Sequence, residues 1–245
     1  MDHSKARSTT ELQEENSALK ERLEILEREI KSWRGPELDE RLEIEKALAA
    51  CSHLFAQPGE VDIENILELF GRALRVHRAN IYQFETDTLI GHYNYEWCEP
   101  GTPSRMQQLK TLDGSFFPWS LAQLNNNQVV IIADTSALPP EAWPERDILI
   151  SAEVCSFVIV PIYNYANELK GWMGFADRIR PRLWKDEDII CMQIVAQMLG
   201  VYWERKRAEA EILHRLAAEE VIAECSRLLV GDREADYRQL LEIVG

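Results

Sequence analysis

The sequence predicts an α+β fold: one antiparallel sheet with terminal helices packed on one face. Three observations predict it. Apolar residues recur at helical spacing through residues 38–76 and again from about 187 to 229. Between those stretches the period changes to two, in short runs rich in valine, isoleucine and aromatic residues bounded by turn residues. Strands are thus enclosed by helices at both ends of the sequence, the pattern of segregated elements rather than of βαβ units.

The elements follow in order. Residues 1–10 are polar. From Leu12 a heptad takes over, with Leu12, Leu19, Leu26 and Trp33 as one core set and Asn16, Leu23 and Ile30 as the other. Steps alternating by three and four put both sets on one seam, and an asparagine at an a position favours a parallel, in-register pair of helices. The facing charges of such a homodimer, Glu15 with Lys20, Arg22 with Glu27 and Glu29 with Arg34, are all attractive. At about 0.2–0.5 kcal/mol each they favour the arrangement without driving it. Gly35-Pro36 is expected to break this helix, because proline lacks an amide proton and crowds the preceding turn. Helices are expected at 38–56 and 61–76, strands at 79–85 and 88–97, a short helix at 116–126 and a strand at 128–133. A short helical region at 139–152 precedes strands at 154–163 and 168–176, joined by a hairpin around Tyr165-Ala166-Asn167. A long helix then starts near Glu187, with Asp186 placed to cap it and an acidic first turn suited to the dipole.

The chain has 245 residues and a formal net charge of −15. That balance argues against nucleic acid, whose phosphates need a basic face, and against a polybasic membrane anchor. The longest apolar run, residues 154–163, is too short to span a bilayer. The N-terminus carries no secretory apolar region. Five cysteines without a CxxC pair point to reduced thiols rather than a disulfide framework or a zinc site. The expected location is the cytoplasm.

Several stretches resemble one family. They are EWCEPG at Glu96–Gly101, PWSLAQL at Pro118–Leu124 ahead of QVVIIAD, LPPEAWPERDIL leading into EVCSFVIVPI, GWMGFADRIRPRLWKDEDI, and the closing VYWERKRAEAEIL. In this order and spacing they resemble the GAF domain over roughly residues 38–211, in the subtype found in bacterial multi-domain sensor histidine kinases and diguanylate cyclases. The resemblance implies a GAF-like antiparallel sheet with terminal helices on one face and short helices on the other, flanked by long coiled-coil helices. The chain then divides into a tail and short coiled coil (1–34), a GAF core (38–186), a C-terminal helix continuing as a signalling linker (187–217), and the first helices of a second, incomplete unit (218–245). The last assignment rests on an internal echo. Shifted by 174 residues, Arg41–Gly71 aligns without a gap on Arg215–Gly245, repeating Cys51-Ser52 at Cys225-Ser226 and Gly71 at Gly245.

The function this resemblance implies is a cytoplasmic sensory module, not itself an enzyme. It would bind a small molecule, or relay a conformational signal through a dimeric helix to an output domain of a longer protein. Leu199, Trp203, Ala210, Leu213 and Ala217, interrupted by Lys206, offer a pairing seam. The family's pocket lies between the sheet and the short helices. Its candidate lining here is Tyr95, Trp97, Cys98, Trp119, Trp143, Cys155 and Trp172, although the same side chains also suit a ligand-free core. Bilin-binding members carry a Cys-His pair near the positions of Trp143 and Pro144, so a bilin is not expected. The Asn-Lys of the cyclic-nucleotide subfamily is replaced by Asp177-Arg178, which counts against cyclic GMP or cyclic AMP. The ligand itself stays unnamed. His92 on the second strand is the candidate haem ligand, with a surface role as its alternative; His214 lacks a phosphoacceptor motif around it. Two other readings stand beside the sensor: a ligand-free dimerisation scaffold, and a thiol redox enzyme of the methionine sulfoxide reductase type using Cys98 and Cys155.

Overall fold

The structure, a computed structural model, describes residues 9–231 apart from residues 86, 87 and 89. Its strands are β1 (Arg78–Phe84), β2 (Ile90–Cys98), β3 (Thr111–Asp113), β4 (Val130–Ile132), β5 (Ser156–Tyr163) and β6 (Leu169–Asp177). Among the described residues they form one antiparallel sheet in the order β3-β2-β1-β6-β5-β4. The helices are α1 (Thr9–Ala56), α2 (Ile63–Ala73), α3 (Pro118–Asn125), α4 (Trp143–Ser151) and α5 (Asp186–Gly231). Parts of α1 and α5, with α2, cover one face of the sheet; α3 and α4 cover the other. The fold is therefore α+β, and Ile131 pairs with Val158 while Ile81 pairs with Met173 within the same sheet.

Period-two alternation assigns each residue of the central strands to a layer. Ala79 and Ile81, Met173 and Phe175, and Val158, Val160 and Ile162 point to the long-helix layer. Tyr82, Trp172, Ala176 and Phe157 point to the short-helix layer. On the first side the helices approach closely. Helix α2 begins where the Asp62 carboxylate accepts from the Asn65 amide at 3.0 Å, and its Gly71 lies under Trp97, whose ring a Cβ would meet at 2.2 Å. On α5, Gly200 lies against the Tyr163 carbonyl, which a Cβ would meet at 2.2 Å. Helices α1 and α5 run side by side and parallel: Glu40 pairs with Lys185 at 3.4 Å, Ser52 reaches Met198, and Phe55 packs on Tyr202 at 5.9 Å.

Two expectations need correction, and one strand was not foreseen. Helix α1 runs unbroken through Gly35-Pro36. An interior proline forfeits one backbone bond and costs about 3 kcal/mol. Helical sequence on both sides, anchored downstream by burial of Ile44, Ala47 and Cys51, outweighs that cost. Strand β3, three residues long, was too short to show a period. The expected seam on α5 is partly consumed by the chain's own core: Leu199 is 1% exposed, and Trp203 packs against the same cluster. The apolar side chains that α5 leaves exposed include Ile190, Val201, Ile212, Leu213 and Leu216. Residues 1–8 and 232–245, which hold the N-terminal tail and much of the second-unit echo, lie outside the described residues. So do the side chains of Leu12, Asn16, Leu19, Leu26, Ile30 and Trp33; Leu23 is exposed on α1.

Gly200→Ala tests the helix–sheet approach. In an exposed helix the change gains about 0.8–1.0 kcal/mol. Here the obstacle is a backbone carbonyl that cannot swing aside. Overpacking predicts a net loss of about 1–3 kcal/mol, read as a lower unfolding midpoint in urea.

Candidate functional site

The sequence RANIYQF of β1 places Arg78, Asn80 and Tyr82 on the face away from Ala79 and Ile81. Together with Tyr93, Trp172 and Leu124 they line a cavity of about 110 Å³ between the sheet and α3/α4. Tyr82 and Trp172 stack at 4.6 Å with an interplanar angle of 10°, and Phe84 and Phe117 meet Trp172 edge-on. Pro118 at the first turn of α3 and Pro144 at that of α4 suit positions that need no amide proton, so both helices start cleanly over this floor. A larger hollow of about 740 Å³ between α1, the end of α2 and the β6–α5 connection is an open groove crossed by the Glu40 ion pairs to Arg75 and Lys185. Small-molecule sites are concave and mostly apolar with a few placed polar groups, which the first cavity matches and the groove does not.

At one end of the cavity sits a buried ion pair. Arg78 Nε lies 3.1 Å from Glu96 Oε1, with the two side chains 4% and 2% exposed. Arg78 donates to the carbonyls of Pro103 at 3.0 Å and Ala152 at 3.3 Å. Glu96 accepts from the Tyr93 hydroxyl at 2.9 Å, the Ser104 hydroxyl and the Arg105 amide. The pair therefore straps residues 99–110 across the edge of the sheet. Burial, with Glu96 alongside, holds the Tyr93 hydroxyl well above its ordinary range.

A second carboxylate joins the two lid helices. Glu145 of α4 is 1% exposed and accepts from the Ser120 amide at 2.8 Å and the Ser120 hydroxyl at 2.5 Å, closing the start of α3. Burial raises its carboxyl above the usual range, against the opposing pull of the bonds from Ser120 and Trp119.

Of the expected lining residues, the structure brings only Trp172 to the cavity. Tyr95 and Trp97 pack against the long-helix layer instead. The cause is a bulge: Ile81 pairs with Tyr95 but Tyr82 with Tyr93, leaving Asn94 over. One extra residue switches the faces downstream of it, so Tyr93 and Glu96 meet Arg78 while Tyr95 and Trp97 turn away. Trp119 packs at the margin of the short-helix cluster, and Trp143 is 62% exposed at the start of α4. Cys98 lies beside the Pro103 carbonyl, and Cys155 donates to the Arg178 carbonyl at 2.9 Å. Strands β1 and β6 separate β2 from β5, so the two thiols stand about 14 Å apart or more. A disulfide needs α-carbons within about 7 Å, and this pair is not assembled as a redox couple. His92 is hydrogen-bonded to Glu85 at 2.6 Å, away from the cavity. Sequence reasoning missed Arg78, Asn80, Tyr82, Glu96 and Glu145. For β1 a signal existed, since polar residues alternate there with Ala79 and Ile81; the carboxylates meet their partners only through the fold.

No family model matches the chain. Over 191 residues it is 29% identical to the methanogenesis regulatory histidine kinase FilI of Methanothrix harundinacea, covering 73% of this chain and 20% of that protein. The match therefore spans about a fifth of the relative's length. Among solved structures it is similar to the phycocyanobilin-bound GAF domain from a cyanobacterial phytochrome, at 21% identity over 68% of this chain and 96% of that one, TM-score 0.56. It is also similar to a far-red-absorbing dark state with bound biliverdin, at 21% identity over 65% and 98%, TM-score 0.54. The fold of this chain is that of a GAF domain.

These likenesses correct one expectation. A bilin was not expected because Trp143 and Pro144 replace the Cys-His pair, yet domains of this fold hold phycocyanobilin and biliverdin. The missing thiol bears on a thioether bond alone. It says nothing about whether the space between sheet and lid helices admits a tetrapyrrole.

Two outcomes follow from the buried carboxylates. Glu96→Ala leaves Arg78 buried without its partner and is expected to cost about 3–5 kcal/mol, with faster hydrogen exchange at the Arg105 amide. For Glu145, whose folded pKa is raised, the unfolded chain loses its proton first as pH rises. Stability therefore falls from the ordinary carboxylate range up through the raised value and is level above it. Glu145→Gln removes this dependence, so the unfolding midpoint of the variant relative to the parent rises between pH 4 and pH 8, by calorimetry.

Proposed function

We propose that the chain is the sensory GAF module of a signal-transduction protein of the histidine-kinase type. A small molecule in the cavity changes how α3 and α4 sit on the sheet, and α5 carries that change onward. One observation carries this reading: Tyr163 touches both ends of the route. Its hydroxyl donates to the Leu124 carbonyl at the end of α3, beside the cavity, and its own carbonyl abuts Gly200 of α5. Lid and exit helix are thus joined through one residue of β5, with no slack between them. Past this contact, Lys206 of α5 pairs with Glu60 at 2.8 Å, and the Tyr202 hydroxyl accepts from the Val61 amide at 3.2 Å, which ties the helix to the α1–α2 turn. These bonds are exposed or half-buried and have two simple arrangements, made and broken.

A bilin is among the ligands this reading admits. The cavity of about 110 Å³ takes a single ring, so a tetrapyrrole enters as α3, α4 and residues 99–110 swing outward. The exposed apolar residues of α5 and Leu23 and Ile25 of α1 would pair with a second copy, giving a parallel homodimer. The chain itself performs no catalysis in this reading. A kinase or cyclase output domain lies elsewhere in a longer, cytoplasmic protein, in keeping with FilI being a histidine kinase. Among the described residues no helix is long and apolar enough to cross a membrane.

The test uses biliverdin and hydrogen exchange. Binding is expected to change exchange in residues 204–227 of α5. Tyr163→Phe should keep affinity within about fivefold, since it removes only a contact outside the cavity worth near 1 kcal/mol, and should lose most of the α5 response. A ligand that binds while α5 exchange stays unmoved in the parent protein would sink the relay.

A further inference from the structure

We propose that Asn80 reads the ligand, and that the ligand presents to it a planar, uncharged ring edge with an acceptor beside a donor, as in a lactam or heteroaromatic amide. The proposal rests on the reading that the cavity is a ligand site. Asn80 sits at the centre of the sheet, opposite Glu96 on β2 and Gly174 on β6. Its side chain lines the cavity. Among the described residues its amide makes no hydrogen bond within the protein, yet it is not sealed off from the cavity space. The residue is half-buried, and a ligand that fills the cavity takes the amide out of water and must pair it. A primary amide offers one acceptor and two donors side by side, and its complement is a donor next to an acceptor.

The surroundings narrow the class. Charged and hydroxyl neighbours in the wall are engaged within the protein: Arg78 and Tyr93 with Glu96, and Ser120 with Glu145. The ion pair neutralises itself, so the site has no spare charge to select an ion. Gly174 clears room for the amide, because a Cβ there would stand 2.8 Å from Asn80 Oδ1. The stacked Tyr82 and Trp172 flank this spot on β1 and β6, a flat wall for a flat ring. The volume agrees: about 110 Å³ approaches the roughly 150 Å³ of an engineered cavity that binds benzene. The ring edge can belong to a free single-ring compound or to the terminal lactam of a larger molecule such as a bilin.

The experiment titrates the full chain with 2-pyridone, toluene, benzoate and biliverdin, followed by calorimetry, for the parent, Asn80→Leu and Gly174→Ala. If the amide reads the ring edge, 2-pyridone binds the parent about tenfold or more tighter than toluene, the worth of one paired hydrogen bond. Benzoate binds more weakly than 2-pyridone. Asn80→Leu reverses the preference toward toluene. Gly174→Ala, which keeps Asn80 but displaces its amide, weakens 2-pyridone alone and covers the case in which Asn80→Leu fails to fold. Biliverdin binding that depends on Asn80, with no 2-pyridone binding, assigns the same residue to the larger source. Equal affinity for 2-pyridone and toluene, no binding of either lactam, or lactam affinity indifferent to both substitutions overturns the proposal. The relay is judged separately: Asn80-dependent binding without an α5 response removes the relay and keeps the assignment. An α5 response to a ligand indifferent to Asn80 does the reverse.

Discussion

Because the sheet is covered on both faces, every residue of its central strands is committed to one layer or the other, and a slip of one residue would exchange the two interiors. Strands β1, β5 and β6 hold a regular alternation up to the register shift after Ile162, with Ala79, Ile81, Val158, Val160, Met173 and Phe175 against the long helices. Strand β2 does not, and the extra residue at Asn94 is what allows a single strand to supply Tyr93 and Glu96 to one side and Tyr95 and Trp97 to the other. The ion pair with Arg78, the strap of residues 99–110 and the polar end of the cavity all depend on that irregularity. Bulges recur beside functional sites for this reason: they re-aim side chains without breaking the ladder.

The two layers differ in character. The long-helix side is closed by near contact of backbones, Gly71 under an indole and Gly200 against a carbonyl, and leaves little freedom. The short-helix side is held by a few polar ties, Glu145 to Ser120, Arg105 to Glu153 and Tyr163 to Leu124, around an incompletely filled interior. Rigid floor and loosely tied lid suit the proposed binding role, since local opening draws on the regions with fewest buried contacts. In the proposed relay, a tightly packed element on the opposite face would register changes in the lid, because interiors transmit displacement rather than absorb it.

Much of this was legible in the sequence. The long terminal helices, five of the six strands and the hairpin near Tyr165 follow from period and turn residues, and the order of weak motifs pointed to the GAF fold that the structural likenesses bear out. What was not legible has a common cause. Gly35-Pro36 reads as a stop, but continuation depends on downstream burial that local sequence does not state. Tyr95 and Trp97 read as pocket residues because they are aromatic and lie on a strand of the family's pocket, but which face they take is set by a bulge without any sequence mark. Glu96 and Glu145 were not singled out because their partners lie on other elements. The candidate site is thus the least legible part, being made where separate elements meet.

Helices α1 and α5 run alongside one another in the same direction, with Arg41 near Glu187 and Phe55 on Tyr202. The echo makes Arg215, on α5, the counterpart of Arg41. It lies 28 residues beyond Glu187 on one continuous helix, or about 42 Å. If the echo marks a second unit, the exit rod of one would be the entrance rod of the next, and the units would hang from a common spine at a fixed pitch. Successive units would also be turned by roughly 80° short of whole revolutions, since 3.6 residues make a turn. Lengthening or shortening the rod by a single residue would rotate everything beyond it by about 100°. The spacing between such units would in that sense be a mechanical phase, written in residue count.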